Sequence, residues 1–425
     1  MVSHGVRRGK LSRIVGLVAI LGVASVAGSI LFGSGAGEAA TKDVRVGLVY
    51  PTTGPAATLG QAMVNGHIQA VEEINAAGGI RSLGGAKLVY VMADTQGKPE
   101  IGMSQLRRLI DQEDVPVVMG AFQSPVSFVT TQLAEQKRIP HIVPIGAADN
   151  ITERGFKYTF KLSPKGSKAA VDMLNFLQEI GKTTGKAAKT IGIVYVDNLF
   201  GKNQAKALKD LIPKSGFQIV ADLSYPDTTA DVTGVVAKLK AANPDVVLQA
   251  SYTQDGILIS RALADQNYAP PLGWIGFGGN AGDPQFFDAV GKQAENYLSV
   301  GYWVPDLPAP GVKEAAAAFK QRFNMEMDEY SAAGYTASYV LADALERAGA
   351  ADPQKIRDAL SATNFKVGAR GNIFSFPITF PPDGQTPSYF ITYQNQGGRR
   401  MVIAPKEAAR DNKPIWPAML GTVKR

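Results

Sequence analysis

The sequence predicts an α/β protein built as two doubly wound lobes. Three observations predict it. Strand-like and helix-like runs alternate with short punctuation, the alternation comes in two successive series, and small or polar turns close the strand ends in both. Alternating β and α runs imply a mainly parallel sheet with helices on both faces. A chain of 425 residues is long enough for two domains of ordinary size.

In the first series VRVGLVY (44–50) reads as a strand and QAMVNGHIQAVEEINAAGG (61–79) as an amphipathic helix ending in glycine. KLVYVMAD, a helix from Pro99 to Gln112, VPVVMGAF, a helix after Ser124 and HIVPIGAA follow. TFKLSPKGS (159–167) reads as a strand and loop that open the second series. That series runs through a helix from Lys168 to Gly181, TIGIVYVDN, a helix from Asn203 to Ser215, FQIVADLSY and a helix from Thr229 to Ala242. It ends with DVVLQASY, a helix from Asp255 to Gln266 and the strand LGWIGFGG. After YLSVGYWVP come a helix-rich stretch from Val312 to Thr363 and a strand-rich tail, NIFSFPITF and YFITYQ, too small to be a domain. The tail must complete lobes already made, so the chain crosses between them more than once. We expect one lobe over 43–162 plus about 302–370, and the other over 163–301 plus about 371–425.

Residues 1–40 carry a basic start (Arg7, Arg8, Lys10, Arg13), an apolar run from Ile14 to about Phe32 and a small-residue tail. This is the pattern of a secretory signal cleaved near Ala39 or Ala40, which would place the remainder in the periplasm. Left uncut, the apolar run is long enough to span a membrane. The formal charge of +7 falls to about +4 without this segment. A mildly basic body without Lys/Arg blocks or interleaved aromatics argues against nucleic acid. The chain has no cysteine, which excludes disulfides, thiolate chemistry and lipid attachment at an N-terminal cysteine.

The turn GAFQSPVS (120–127) passes a buried strand directly into a helix. Ser124 fits an N-cap and Pro125 the first helical position, where its missing N–H costs nothing. The helix start is either an anion site or a well-capped end. Phe122 and Gln123 lie on the connecting loop, where an aromatic can form a cleft wall, and Ser127 sits inside the first turn as a structural residue. Tyr252 ends DVVLQASY, and Phe200 follows VDN in the corresponding turn of its own unit. Both lie past strand ends, where ligands of open α/β sheets bind. Trp274 and Phe277 flank a glycine-rich strand end where one could stack on an aromatic solute, whereas Trp303, in YWVP, suits hinge packing.

GLVYPTTGPAATLGQAMVNGHIQAVEEINAAGGI, the GAFQSPVS turn, the P-x-G-A-A-x-x-x-T-x-R run from Pro144 to Arg154 and YVDNLFGKNQAKALK resemble the periplasmic solute-binding proteins of branched-chain amino acid ABC transporters. The resemblance covers about residues 43–405. It implies two Rossmann-like lobes joined by three crossovers, a type 1 periplasmic, or Venus-flytrap, fold that hands a small solute to an ABC permease in the inner membrane, acts as a monomer and uses no cofactor. It further implies that Ser124 and neighbouring N–H groups hold a ligand carboxylate. The segment Ile145 to Ala147 would meet an α-amino group, Phe200 and Tyr252 would cover the ligand, and the position of Leu59 would pack its side chain. The chain departs from the family at three of these points: the threonine position reads Ala147, the glutamate position falls near Gly278 and the first-loop tyrosine reads Leu59. A buried ammonium without an acceptor costs on the order of several kcal/mol. Asp149 or Asp255 could substitute, or be ordinary loop acids. The expected solute is a small carboxylate or amide-like compound, with an aromatic body and an aliphatic amino acid both still open. A ligand-sensing flytrap that presents its solute to a signalling partner is the alternative.

GFGGNAG (276–282) fits G-x-G-x-x-A after a strand, with Glu295 further on, as in dinucleotide sites. Asp283 and Pro284 instead read as the cap and first turn of the next helix, which leaves the loop too long. His67 sits inside a helix and His141 at the start of a buried strand, and there is no G-x-S-x-G elbow, H-E-x-x-H or metal-spaced cluster. The sequence therefore supports binding and no enzymatic chemistry.

Overall fold

The computed structural model describes residues 42–420; the expected signal segment and its cleavage point near Ala39 or Ala40 lie outside the described residues. The first series folds as β1 (Val44–Tyr50), α1 (Ala57–Ala76), β2 (Leu88–Asp94), α2 (Pro99–Asp111), β3 (Val118–Gly120), α3 (Ser124–Lys137), β4 (His141–Val143) and β5 (Thr159–Lys161). These strands form a parallel sheet in the order β2-β1-β3-β4-β5. The second series follows with α4 (Gly166–Thr184), β6 (Thr190–Val196), α5 (Leu199–Leu211), β7 (Gln218–Tyr225), α6 (Thr233–Ala242), β8 (Val246–Ser251) and α7 (Thr253–Asp265). It closes with β9 (Gly273–Gly278), α8 (Gly279–Gly282), α9 (Pro284–Val290) and β10 (Leu298–Gly301).

Next come α10 (Val312–Phe323), α11 (Glu329–Ala348), α12 (Pro353–Ser361), β11 (Asn364–Phe365), β12 (Ile378–Thr379), β13 (Ile391–Gln396), β14 (Arg399–Ala404) and α13 (Lys406–Ala409). The second sheet runs β14-β13-β10-β9-β8-β6-β7, parallel from β10 to β7 and antiparallel where β13 and β14 are added. Both sheets thus repeat one winding, with the switch of direction between β1 and β3 in the first and between β6 and β8 in the second. Such switch points open crevices beyond the carboxyl ends of the strands.

The chain passes between the two halves three times. After β5 it enters α4, which packs on α5, β10 and β13; after β10 it returns to α10 and α11, which pack on α1; after β12 it leaves again for β13. The first and third passages meet where Lys161 bridges to Gln385. The buried Lys161 ammonium donates to the carbonyls of Ser163 (3.1 Å) and Pro164 (2.8 Å) and to Gln385 Oε1 (3.2 Å). Helix α11 lies close on α1 because glycines stand at the contact. A Cβ on Gly66 would strike the Ser331 carbonyl, and one on Gly334 the Met63 carbonyl.

Several elements differ from the expected ones. Helix α5 begins at Leu199, not Asn203, because the Asn198 side chain accepts from the N–H groups of Phe200 (3.0 Å) and Gly201 (3.4 Å). Within NIFSFPITF only Ile378–Thr379 is extended and paired. The Asp283 cap is present, its carboxylate accepting from Gln285 N–H at 2.9 Å, and Glu295 instead accepts from Gly397 N–H, so GFGGNAG is no dinucleotide loop.

Candidate functional site

A cavity lies between the carboxyl edges of the two sheets. From the first sheet come Phe122 and Ser124, at the β3–α3 turn, and Ile145 and Ala147, after β4. Tyr252, at the end of β8, Phe277, in β9, and Phe200, in the first turn of α5, face them from the second. The passages between the halves add Ser163, Tyr302 and Phe390, and the start of α11 adds Glu329 and Tyr330.

Seven rings form an unbroken chain around this space. Tyr330 meets Phe122 at 5.5 Å, Phe122 meets Tyr252 at 5.7 Å, Tyr252 meets Phe200 at 5.4 Å and Phe200 meets Phe277 at 5.5 Å. Phe277 meets Phe390 edge-on at 5.4 Å, and Phe390 meets Tyr302 at 6.2 Å. Such tilted and edge-to-face pairs are the favoured arrangements of aromatic quadrupoles. The Phe122–Tyr252 contact joins the two halves directly across the cleft.

Ser124 is not the N-cap. It is the first helical residue of α3, Gln123 holds the cap position without a side-chain cap, and Pro125 is second. The Ser124 hydroxyl instead accepts from Ala148 N–H at 3.2 Å, which pins the loop after β4, and it donates to no described residue. The hydroxyl hydrogen and the free N–H groups of the first turn are thus the polar donors at this end of the cavity. Ser127 donates to the Ala121 carbonyl at 3.0 Å, the structural part expected of it.

Two expected site residues lie elsewhere. Leu59 is buried in α1, 2% exposed and packed into the core, and does not line the cavity. Gln123 turns toward Gly97, its Oε1 without a partner among the described residues, so of the loop pair only Phe122 forms the wall. Trp274 is in the core, its indole N–H donating to Gln249 at 2.7 Å, so Phe277 is the aromatic at the strand end. Trp303 is fully buried in the passage after β10.

The acids proposed as substitutes are engaged in structure. Asp149 accepts from Ser167 N–H (3.1 Å) and Asn203 Nδ2 (3.3 Å), tying the loop after β4 to α4 and α5. Asp255 is buried against the Tyr225 hydroxyl at 2.7 Å, and burial lifts its carboxyl to about 6. No side chain fits at Gly278: its φ is +101°, and a Cβ there would stand 2.8 Å from Phe200 Cζ. The cavity's carboxyl group comes from the opposite side. Glu329, the first residue of α11, accepts the Tyr302 N–H at 2.6 Å, and burial raises it from the ordinary carboxyl range to about 8. Sequence reasoning missed it, because an acid in the first turn of a helix reads as a partner for the helix dipole.

Two α/β halves with facing carboxyl edges, three connections and an aromatic cavity between them define a bilobed solute-binding protein. The chain belongs to the periplasmic binding protein family, whose model matches residues 43–399, and its relatives include Leu/Ile/Val-binding protein homologues; it is a binding protein and not an enzyme. It is 30% identical to Leu/Ile/Val-binding protein homolog 7 of Brucella abortus over 87% of this chain and 93% of that one. It is 29% identical to Leu/Ile/Val-binding protein homolog 8 of Brucella suis over 94% and 98%. Among solved structures, a solute-binding protein of an ABC transporter from R. palustris in complex with benzoate matches with a TM-score of 0.75, 19% identity and coverage of 87% and 99%. The branched-chain amino acid transporter substrate-binding protein LivJ of Streptococcus pneumoniae, in complex with isoleucine, matches with a TM-score of 0.74, 22% identity and coverage of 86% and 100%. The fold is accordingly the type 1 periplasmic binding fold.

Proposed function

We propose that the protein is the extracytoplasmic solute-binding component of an ABC importer, that it closes on a small carboxylate-bearing solute and that it delivers the solute to a permease in the inner membrane. The observation that carries this reading is the cavity itself: donors of the Ser124 turn at one end, and walls of Phe122, Ile145 and Ala147 against Phe200, Tyr252 and Phe277. Charge-assisted hydrogen bonds of the kind Ser124 and the α3 start can offer contribute about 1.5–3 kcal/mol each. The relatives named for leucine, isoleucine and valine, and the similar structures holding benzoate and isoleucine, support a solute with a carboxylate and an apolar body.

A thermal-shift and calorimetric screen against amino acids, aromatic acids, amides and dicarboxylates tests the reading. A true ligand at large excess over its Kd should raise stability by about 3–4 kcal/mol. Shifts produced only by sugars or by cations without a carboxylate would refute it.

A further inference from the structure

Among the described residues lining the cavity there is one ionisable carboxyl group, Glu329, and neither lysine nor arginine. Its surroundings hold it as an acceptor. The backbone N–H groups of Tyr302 and Trp303 point at it, and a Cβ at Gly301 would collide with Oε2. Burial nevertheless disfavours its charge. A solute bearing only a carboxylate would add a second negative charge or leave a proton on Glu329. A solute that also carries a cationic nitrogen brings a counter-ion into contact with the carboxylate form, and aromatic walls such as Tyr330 and Tyr302 favour such a cation further. The side chains flanking Ser124 (Phe122, Ile145 and Ala147) offer no acceptor to a nitrogen beside the carboxylate, and the Ala147 carbonyl already accepts from Gly166 N–H at 2.7 Å.

We propose that Glu329 is the specificity-determining residue of the cavity and that it selects solutes whose cationic nitrogen is set apart from the carboxylate, as in an ω-amino acid or an (aminoalkyl)benzoate. The proposal rests on the solute-binding reading above and names the other end of its ligand. The groups facing Glu329 are Asp328 on its own helix, which disfavours its charge, Arg400 on β14, which favours it, and the phenols of Tyr302, Tyr330 and Tyr393, all held protonated by burial. A ligand that needs the carboxylate form binds more weakly as pH falls below the Glu329 pKa of about 8.

Calorimetry on the purified protein compares 4-(aminomethyl)benzoate with its α-amino isomer phenylglycine and with 4-methylbenzoate, and 5-aminopentanoate with norvaline and pentanoate. At pH 8 the separated-nitrogen member of at least one set should bind ten or more times tighter than both companions. Its affinity should fall about fifty-fold between pH 8 and pH 6, the ratio set by a pKa of about 8. Glu329→Gln should abolish both the preference and the pH slope. If that variant does not fold, the wild-type preference and slope carry the test alone. Tighter binding of the α-amino isomer, or equal binding of the des-amino acid, overturns the proposal while leaving carboxylate binding intact. Failure of every probe overturns both readings.

Discussion

Ser124 is 2% exposed; its hydroxyl accepts from Ala148 N–H, and its hydrogen, which reaches no described residue, is the one we propose for a ligand carboxylate. Ser124→Ala should therefore weaken binding of a carboxylate at least about tenfold, or about 1.4 kcal/mol. Calorimetry measures this, and unchanged affinity would reduce the residue to a loop pin. Lys161 supports a second prediction. Burial lowers its ammonium to about 7, so the native state sheds this proton at lower pH than the unfolded chain does. Between about pH 7 and the ordinary lysine value near 10.5 the unfolded state binds more protons, and stability rises with pH by about 1.4 kcal/mol per unit from this group. Below pH 7 both states are protonated and the slope vanishes. Chemical denaturation of Lys161→Met against wild type should show wild type gaining on the variant over that window, and parallel curves would refute it. At this scale the sequence was readable where a turn announced itself, as at Ser124 with Pro125. It was silent where a side chain acquires meaning only through a partner far along the chain, as Glu329 does through Tyr302.

The α1–α11 pair shows how an element sets the site. Gly66 and Gly334 let two 20-residue helices approach until backbone meets backbone, and this approach fixes where the α11 start presents Glu329. Gly66→Ala should cost about 3 kcal/mol or more by overpacking against the Ser331 backbone, which cannot swing aside. Urea melts give the loss, and a change under about 1 kcal/mol would show that the helices separate cheaply. Periodicity revealed both series of elements, but it exaggerated strand length. VPVVMGAF is apolar throughout because every residue from Val117 to Phe122 is buried, yet only Val118–Gly120 is paired. Burial and pairing are different constraints, and an apolar run reports the first. Strand β14 was missed although Gly397 and Gly398, with φ of +58° and +76°, make the tight turn that joins it to β13.

At the scale of the whole molecule, the two halves are tied by a few polar contacts beside the aromatic one. Asn203 on α5 accepts from Asp149 N–H at 3.2 Å and donates to the Asp149 carboxylate, while Gly166 N–H reaches the Ala147 carbonyl. Asn203 does not line the cavity, so Asn203→Ala removes closing free energy without altering the walls. Affinity should fall severalfold through the smaller population of the closed form. Small-angle scattering should then require more ligand to produce the same contraction. Identical titrations would show that Asn203 does not contribute to closure. The two-series organisation was legible because each lobe repeats the same βα order. The position of the tail was legible only by elimination, since its strands join a sheet begun about 200 residues earlier.

The Phe122–Tyr252 contact has an optical consequence. Rings locked at fixed tilts in an asymmetric setting give strong near-ultraviolet circular dichroism, and this pair exists only while the halves touch. The ellipticity near the tyrosine bands should therefore change when the halves part, over the background of the chain's other 13 tyrosines and 3 tryptophans. With no cysteine anywhere in the sequence, a single thiol introduced on the rim would accept a dye at that site alone, so closure can be followed by two independent colours in one sample.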